Sequence, residues 1–352
     1  MKICFLYSNH HFAHISAQPG IAYKLALSAR TFGATVQIIS NQAGNVFLQP
    51  KYITLVLFFG LGELKTYLFQ IPKLLKTLWK FRPDLVHVHG NLLYVFLSVL
   101  SPVVRKPLTV YIGETLDIHN VVLRRLFVFF LKRAKHIFVS SEYIKQQLES
   151  STIPAKRISL VRLGLDRRFL NVEQPKRRSI DVLYYGDATR SRGFDIVVDA
   201  ARKLPRKTFV VLLRGLLNDC LEKITEAKTL SNLTIRYYPY HEPLEEILAN
   251  SRVILLPFRY MGVRPPLTIV EAMAVGACVV TSPLGGTDEL ITNWENGFIL
   301  DGIQVDTVTM LIEKLLANNK RMQAIGAQAR KTIGKLYKEN EYHKTVERII
   351  TS

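Results

Sequence analysis

The sequence predicts an α/β protein made of two doubly wound domains. Apolar segments of four to six residues alternate with helical periodicity along the whole chain, the pattern of parallel strands covered on both faces. The 352 residues suffice for two domains of ordinary size, each with its own core. A basic stretch without periodicity, Asp166 to Ser179 (DRRFLNVEQPKRRS), separates two sets of strands and reads as a linker.

In the first half, strands are expected at 2–7, 35–39, 85–89, 108–112 and 136–140. The opening MKICFLY is too short for a signal peptide and reads as a first buried strand. QPGIAYKLALSA, after a polar loop, opens a helix at Gly20. Helical periodicity also marks 64–80 and 121–135. In the second half, strands are expected at 180–185, 208–213, 233–237, 253–256, 277–281 and 298–300, with a helix beginning near Leu267.

A hydrophobic content of 48% with 10% aromatics excludes a disordered chain. The longest apolar runs, Ile53–Leu61 and Leu92–Leu100, fall short of the roughly 18–20 residues of a membrane-spanning helix. Cys4, Cys220 and Cys278 are widely spaced in apolar surroundings, as reduced thiols of a cytosolic protein would be, and no metal-ligand spacing is present. Of the net charge of +19, nearly all belongs to the first half: residues 1–170 hold 22 basic and 7 acidic side chains, residues 171–352 hold 25 and 21. Such a field attracts anionic partners. In 64–80, Lys65, Lys73, Lys76 and Lys80 lie within about 80° of one another, while Leu68, Ile71, Leu75, Leu78 and Trp79 project elsewhere. In 121–135, Arg124, Arg125, Lys132 and Lys135 share one face and Leu123, Leu126, Phe127, Phe130 and Leu131 another. Basic amphipathic helices rich in aromatics suit an anionic membrane surface, although two sheet-packed helices with solvated lysines have the same pattern. No nucleic-acid motif accompanies the charge, so no nucleic-acid partner is expected.

The segment ILLPFRYMGVRPPLTIVEAMAVGACVVTSPLGGTDELITNWENGFIL (254–300) reads as strand, Pro/Gly loop, helix, strand, glycine turn. A loop that enters a helix presents free N–H groups and the positive end of a dipole, which suits a phosphate. PLTIVEAMAVGACVV, GG-TDE and N-ENGFIL resemble the donor-nucleotide site of family-4 (group 1) glycosyltransferases, which have the GT-B fold: two Rossmann-like domains facing a central cleft. RPDLVHVHG, AKHIFVSSEYIKQQL with AKRISLVRLGLDRRF, and YYGDATRSRGFDIVVDAARKL extend the resemblance over both halves. It implies an acceptor-binding domain over 1–168, a nucleotide-sugar domain over 169–335 and a final helix, 336–352, that crosses back. It further implies transfer of a sugar from a nucleotide-diphosphate donor to a hydroxyl, with retention, on a lipid-linked or glycan acceptor at the cytosolic face of a membrane. No cofactor or metal is called for, because arginines can take the charge role of a divalent ion.

By the resemblance, Gly186, Arg190, Arg192, Pro266, Leu267, Thr268 and Glu271 form the donor site, with Gly20 approaching the diphosphate from the first domain. The family places an arginine directly after the glycine and a lysine five residues later. Here Asp187 holds the first position and Arg192 the second, which makes Arg192 the leading diphosphate clamp and Arg190 a stand-in for the missing arginine. An arginine fork suits phosphate well. Of the family's two glutamates, Glu271 matches the one that binds ribose hydroxyls; the other falls on Val263 or Met261, neither acidic. Gly285, Gly286 and Glu289 match a closing loop. The family's usual histidine position is Ile112, with Glu114, Asp117 or His119 as candidate substitutes. His87 and His89 share one strand face and are expected to be buried rather than to bind a metal. Two other readings remain open: a GT-B epimerase or phosphorylase, and a catalytically silent sugar-nucleotide-binding protein.

Overall fold

The computed structural model describes residues 1–7, 17–40, 53–56, 64–89, 106–114, 121–214 and 219–351. The chain forms two compact units, Met1–Gly164 with Glu339–Ser352, and Leu165–Lys338.

The first unit contains β1 (Lys2–Tyr7), α1 (Ala17–Thr31), β2 (Thr35–Ser40), β3 (Ile53–Val56), α2 (Leu64–Phe81), β4 (Leu85–His89), β5 (Leu108–Ile112), α3 (Val121–Leu131), β6 (His136–Val139), α4 (Glu142–Glu149) and β7 (Ile158–Leu160). Its strands pair in parallel in the order β3-β2-β1-β4-β5-β6-β7. Every residue of β4 and β5 is buried, because helices cover both sheet faces. On one face α1 lays Ile21, Ala22, Leu25, Ala26 and Ala29 against Ile3 and Phe5. The helix stops at Gly33, whose φ of +77° is open to glycine at no steric cost, and the N–H groups of Gly33 and Ala34 close on Arg30 and Ala29 carbonyls at 3.0 and 3.1 Å. On the other face α2 and α3 bury Leu74, Leu78, Phe127 and Leu131 against Val86, Val88 and Val110. The Ser141 hydroxyl caps α4 by accepting from the Ile144 N–H at 3.2 Å.

The second unit contains α5 (Arg167–Asn171), β8 (Ile180–Gly186), α6 (Phe194–Lys203), β9 (Phe209–Leu213), α7 (Leu221–Thr229), β10 (Leu233–Tyr237), α8 (Leu244–Ala249), β11 (Ser251–Leu256), α9 (Leu267–Ala274), β12 (Cys278–Thr281), β13 (Phe298–Ile299), α10 (Val305–Ala317) and α11 (Asn319–Leu336). The parallel sheet runs β10-β9-β8-β11-β12-β13. Helices α6, α7 and α10 share a core on one face, and α8, α9 and α11 share one on the other. The last helix, α12 (Glu341–Thr351), belongs to the first unit: Val346 and Ile349 pack in the α1 core, and the Tyr342 hydroxyl accepts from the Gly164 N–H at 3.0 Å.

Three expectations are corrected. The first sheet has two further strands, β3 and β7. β3 lies inside the apolar run from Ile53, and β7 is an edge strand in which only Ile158 is buried, so neither shows an alternation of its own. The segment 166–179 is no free linker. Asp166 accepts from the Arg168 N–H at 3.2 Å to start α5, Phe169 is buried, and Arg178 donates to the Ser251 and Gly276 carbonyls at 2.8 Å each. The break between units therefore falls after Gly164, ahead of the expected 168. On α2, Trp79 is 75% exposed alongside Lys73, Lys76 and Lys80, and on α3 Leu126 is 46% exposed, so neither joins the buried stripe. The side chains of Leu68, Ile71 and Leu123 lie outside the described residues, as do Asp117 and His119.

Candidate functional site

The site is assembled at the carboxyl ends of the second unit's strands. From β8 the chain proceeds to β9 and β10 on one side, and β11 opens the other side, so a topological switch lies between β8 and β11. Ligands of doubly wound sheets settle in the crevice at such a point.

Two loops border it, 187–193 after β8 and 257–266 after β11, and they are tied together. The Arg259 and Tyr260 N–H groups donate to the Ser191 carbonyl at 2.9 and 3.0 Å. The Arg259 guanidinium reaches the Arg190 carbonyl at 2.7 Å and forks onto Asp195 at 2.6 and 2.8 Å. Gly193 has a φ of +72°, and a Cβ there would stand 2.0 Å from the Pro257 carbonyl oxygen. Only glycine lets the two loops approach so closely.

Arg192 is held inside this junction. Its N–H donates to Thr189, its guanidinium lies 5.8 Å from the Phe258 ring centre, and its buried Nη1 has no hydrogen-bond partner. Burial lowers its pKa, as do the nearby guanidinium groups of Arg214 and Arg264, while Asp187 and Tyr184 oppose the shift. Arg190 is placed differently. Its exposed guanidinium pairs with Glu222 at 3.0 Å and its N–H donates to Asp219 at 2.8 Å, so it does not join Arg192. That hydrogen bond to Glu222 raises its pKa.

Across the switch, Pro266 precedes α9, and Leu267 and Thr268 form its first turn. The Pro266 carbonyl accepts from Ile269 and Val270, and helix geometry leaves the first N–H groups without intrahelical partners. The Thr268 Oγ1 and the Glu271 Oε2, one turn apart, are buried without partners. Burial pushes the Glu271 carboxyl up to about 7, against the pull of Arg214 and Arg168 and with a further upward push from Asp166. Ser282 Oγ, after β12, is likewise buried and unpartnered. Unpaired polar groups in a protein interior are uncommon, and a set of donors and acceptors at one strand-end crevice calls for a polar ligand. A guanidinium and a helix N-terminus suit phosphate, and a carboxylate suits vicinal hydroxyls.

Around the two positions where the resemblance implies an acid, Met261 is buried and Val263 half-buried, while the neighbouring Arg264 is buried and donates to the Met261 carbonyl. The glycine turn places Gly286 at a φ of +88°, and the Thr287 hydroxyl donates to the Leu284 carbonyl at 2.6 Å. Gly20 lies in the first turn of α1 and Glu114 is half-buried just beyond β5, both in the first unit. His87 and His89 are buried on one face of β4. His87 Nδ1 lies 2.8 Å from Thr109 Oγ1, and His89 stacks on Tyr111 at 4.3 Å. Burial lowers both pKa values, that of His87 to about 3, and no cluster of metal-ligating side chains occurs among the described residues.

Sequence reasoning passed over Arg214 and Tyr185. The half-buried Arg214 follows β9, with its guanidinium 4.4 Å from the Tyr185 ring centre and its Nη1 donating to the Tyr185 hydroxyl at 3.2 Å. The signal was a lone charge ending the apolar strand FVVLLR, at the end of the sheet where ligands gather.

The model of "Glycosyltransferase Family 4" matches residues 21–169, and that of "Glycosyl transferases group 1" matches residues 166–332. An uncharacterised glycosyltransferase of Methanocaldococcus jannaschii is 23% identical over 239 residues, which span 62% of this chain and 60% of that relative's length. A GDP-mannose-dependent α-(1-6)-phosphatidylinositol monomannoside mannosyltransferase of Mycolicibacterium smegmatis is 31% identical over 96 residues, 25% of each chain. Among solved structures, HepE of Anabaena in complex with UDP superposes with a TM-score of 0.79 at 16% identity, covering 100% of both chains, a likeness of fold.

Proposed function

We propose, for a chain that belongs to the group 1 glycosyltransferases of the family-4 type and has their GT-B fold, transfer of a sugar from a nucleotide-diphosphate donor to a hydroxyl acceptor. The observation that carries this reading is the set of unpartnered buried groups at the β8/β11 switch: Arg192 Nη1, Thr268 Oγ1 and Glu271 Oε2. The difficult step in such a transfer is the charge that gathers on the departing diphosphate. Fixed donors that need no rearrangement stabilise it, with Arg192 and the first turn of α9 in that role. Glu271 as a carboxylate accepts from the ribose hydroxyls. Transfer with retention, in which the leaving phosphate guides the acceptor proton, needs no dedicated base, and the arginines take the charge role that a divalent ion plays elsewhere; Glu114 and Gly20 are the first unit's candidate residues. The relatives point to UDP and GDP donors alike.

The acceptor we favour is lipid-linked, met at the cytosolic face of an anionic membrane during cell-surface glycan assembly. No helix among the described residues is long and apolar enough to cross a membrane. What supports surface attachment is that α2 and α3 cover the same sheet face and expose Trp79, Val121, Val122, Leu126 and Phe129 among Lys73, Lys76, Lys80, Arg124 and Arg125. Beside them, a cavity of about 540 Å³ is lined by Lys106, Lys132, Arg133, Lys135 and Arg157 with no carboxylate.

Titration calorimetry with UDP, GDP and ADP tests the donor site. Arg192→Ala is expected to weaken the nucleoside diphosphate that binds by roughly ten- to a hundredfold, the worth of a charge-assisted hydrogen bond, with thermal unfolding nearly unchanged. Unaltered affinity would remove Arg192 from the site. The apolar Met261 and Val263 favour one second reading, a sugar-nucleotide-binding protein without turnover; release of free nucleotide from a panel of UDP-, GDP- and ADP-sugars decides between the two.

A further inference from the structure

We propose that Arg214 is a second diphosphate-binding cation, placed beside Asp187 from the neighbouring strand and acting on the same anion as Arg192. The proposal rests on the donor-site reading above and deepens it.

The position follows from strand register. β8 and β9 pair with Gly186 opposite Leu213, so the next residues, Asp187 and Arg214, leave the sheet side by side. The Arg214 N–H donates to the Gly186 carbonyl at 3.1 Å and fixes that alignment. Adjacent strands lie about 4.8 Å apart, so a side chain entering from 214 serves the space that a cation at 187 would serve. Asp187 itself is acidic and cannot.

The surroundings distinguish Arg214 from the arginines that only brace the second unit. Arg252 is closed by Asp181 at 2.7 Å, Arg259 by the fork onto Asp195, and Arg178 by two backbone carbonyls. Arg214 spends Nη1 on the Tyr185 hydroxyl, and among the described residues it forms no ion pair. A guanidinium carries five N–H donors, so most of its capacity remains. Stacking on Tyr185 holds the plane in place. Arg192 and Arg214 sense one another's charge, and Arg264 adds a third guanidinium to the group near Arg192. Like charges gathered in a partly desolvated place, one of them with a buried N–H unused, are stabilised when a dianion enters between them. Among the groups that raise the Arg214 pKa against its burial are Asp187 and Glu271, so the arginine stands within electrostatic reach of both the β8 loop and α9.

The test is calorimetric binding of UDP, GDP, ADP and inorganic pyrophosphate to the full chain. Arg214→Gln is expected to weaken both pyrophosphate and whichever nucleoside diphosphate the unchanged protein binds by about tenfold or more. Arg214→Lys, which keeps the charge and spares the fold, should lose less. Adding Asp187→Arg to Arg214→Gln should recover most of the lost affinity, a rescue that a bracing role for Arg214 does not allow. The proposal is overturned if Arg214→Gln and Arg214→Lys bind within about twofold of the unchanged protein while Arg192→Ala is weakened. It is also overturned if lost affinity tracks a lowered melting temperature and Asp187→Arg restores none of it. Absence of binding by the unchanged protein to all three nucleoside diphosphates would instead bring down the donor-site reading itself.

Discussion

A carboxyl group enclosed by a protein gives up its proton reluctantly, and burial holds Glu271 up to about 7 from its ordinary 4.5. The folded state therefore binds this proton more tightly than the unfolded chain. The stability it contributes is complete below the unfolded value and is lost as pH rises through about 7. Wild-type protein should accordingly lose thermal stability between about pH 5 and pH 8, and Glu271→Gln should remove part of that slope. Ligand binding has the opposite sense, because the carboxylate accepts from ribose hydroxyls more strongly than the neutral acid does. Affinity for a nucleoside diphosphate is expected to rise through the same interval more steeply in the wild type than in Glu271→Gln. Inorganic pyrophosphate, which has no ribose, should bind both alike; equal pH profiles with the nucleoside diphosphate would remove Glu271 from ribose recognition. At this scale PLTIVEA was legible in the sequence, since Thr268 and Glu271 occupy one helix within a single turn. Motif spacing ranked Arg192 ahead of Arg190, but it did not show where either guanidinium goes. Arg190 goes to an outer ion pair with Glu222, and Arg192, two residues on in the same loop, to the inner junction with Phe258.

Elements meet where small residues let them. Gly193 starts α6 against the Pro257 carbonyl, and Gly193→Ala forces a left-handed backbone on a residue that disfavours it as well as a clash. Strain of this kind costs about 1–3 kcal/mol before the clash is counted. The substitution should lower the melting temperature and also weaken nucleoside-diphosphate binding, because the loop that carries Arg192 has to move. A melting loss with unchanged affinity would show that the loop tie does not position Arg192. In the first unit, α12 depends on α1 for its burial: Val346 and Ile349 are wholly enclosed, and Ser28 Oγ lies 3.2 Å from His343 Nδ1. Ile349→Ala should cost about 2–5 kcal/mol. Hydrogen exchange should then quicken in α1 as well as in α12; acceleration confined to α12 would mean that the two helices do not open together.

For the molecule as a whole, the basic first half and the exposed aromatics of α2 and α3 predict sedimentation with anionic vesicles and little with neutral ones. Each lysine near such a surface contributes about 1 kcal/mol, reduced by salt as screening shortens. Lys73→Gln, Lys76→Gln and Lys80→Gln together should move the protein to the supernatant without abolishing nucleotide-sugar hydrolysis in solution. Equal sedimentation with both vesicle types, or none at low salt, would instead favour a soluble phosphorylated acceptor. The charge imbalance, the alternation of strand and helix, and the strand–loop–helix–strand order from Ile254 to Leu300 were legible in the sequence alone, because each is a local pattern that burial or helix geometry imposes on neighbouring residues. Tertiary structure decided what depends on pairing between distant segments. Among these are the edge strands β3 and β7, the docking of 166–179 onto the second unit, and the exposure of Trp79. The register that sets Arg214 beside Asp187 is of the same kind. Residues 187 and 214 are connected by no periodicity along the chain; a parallel ladder between two strands, fixed by hydrogen bonds and by packing on both faces of the sheet, is what brings them together.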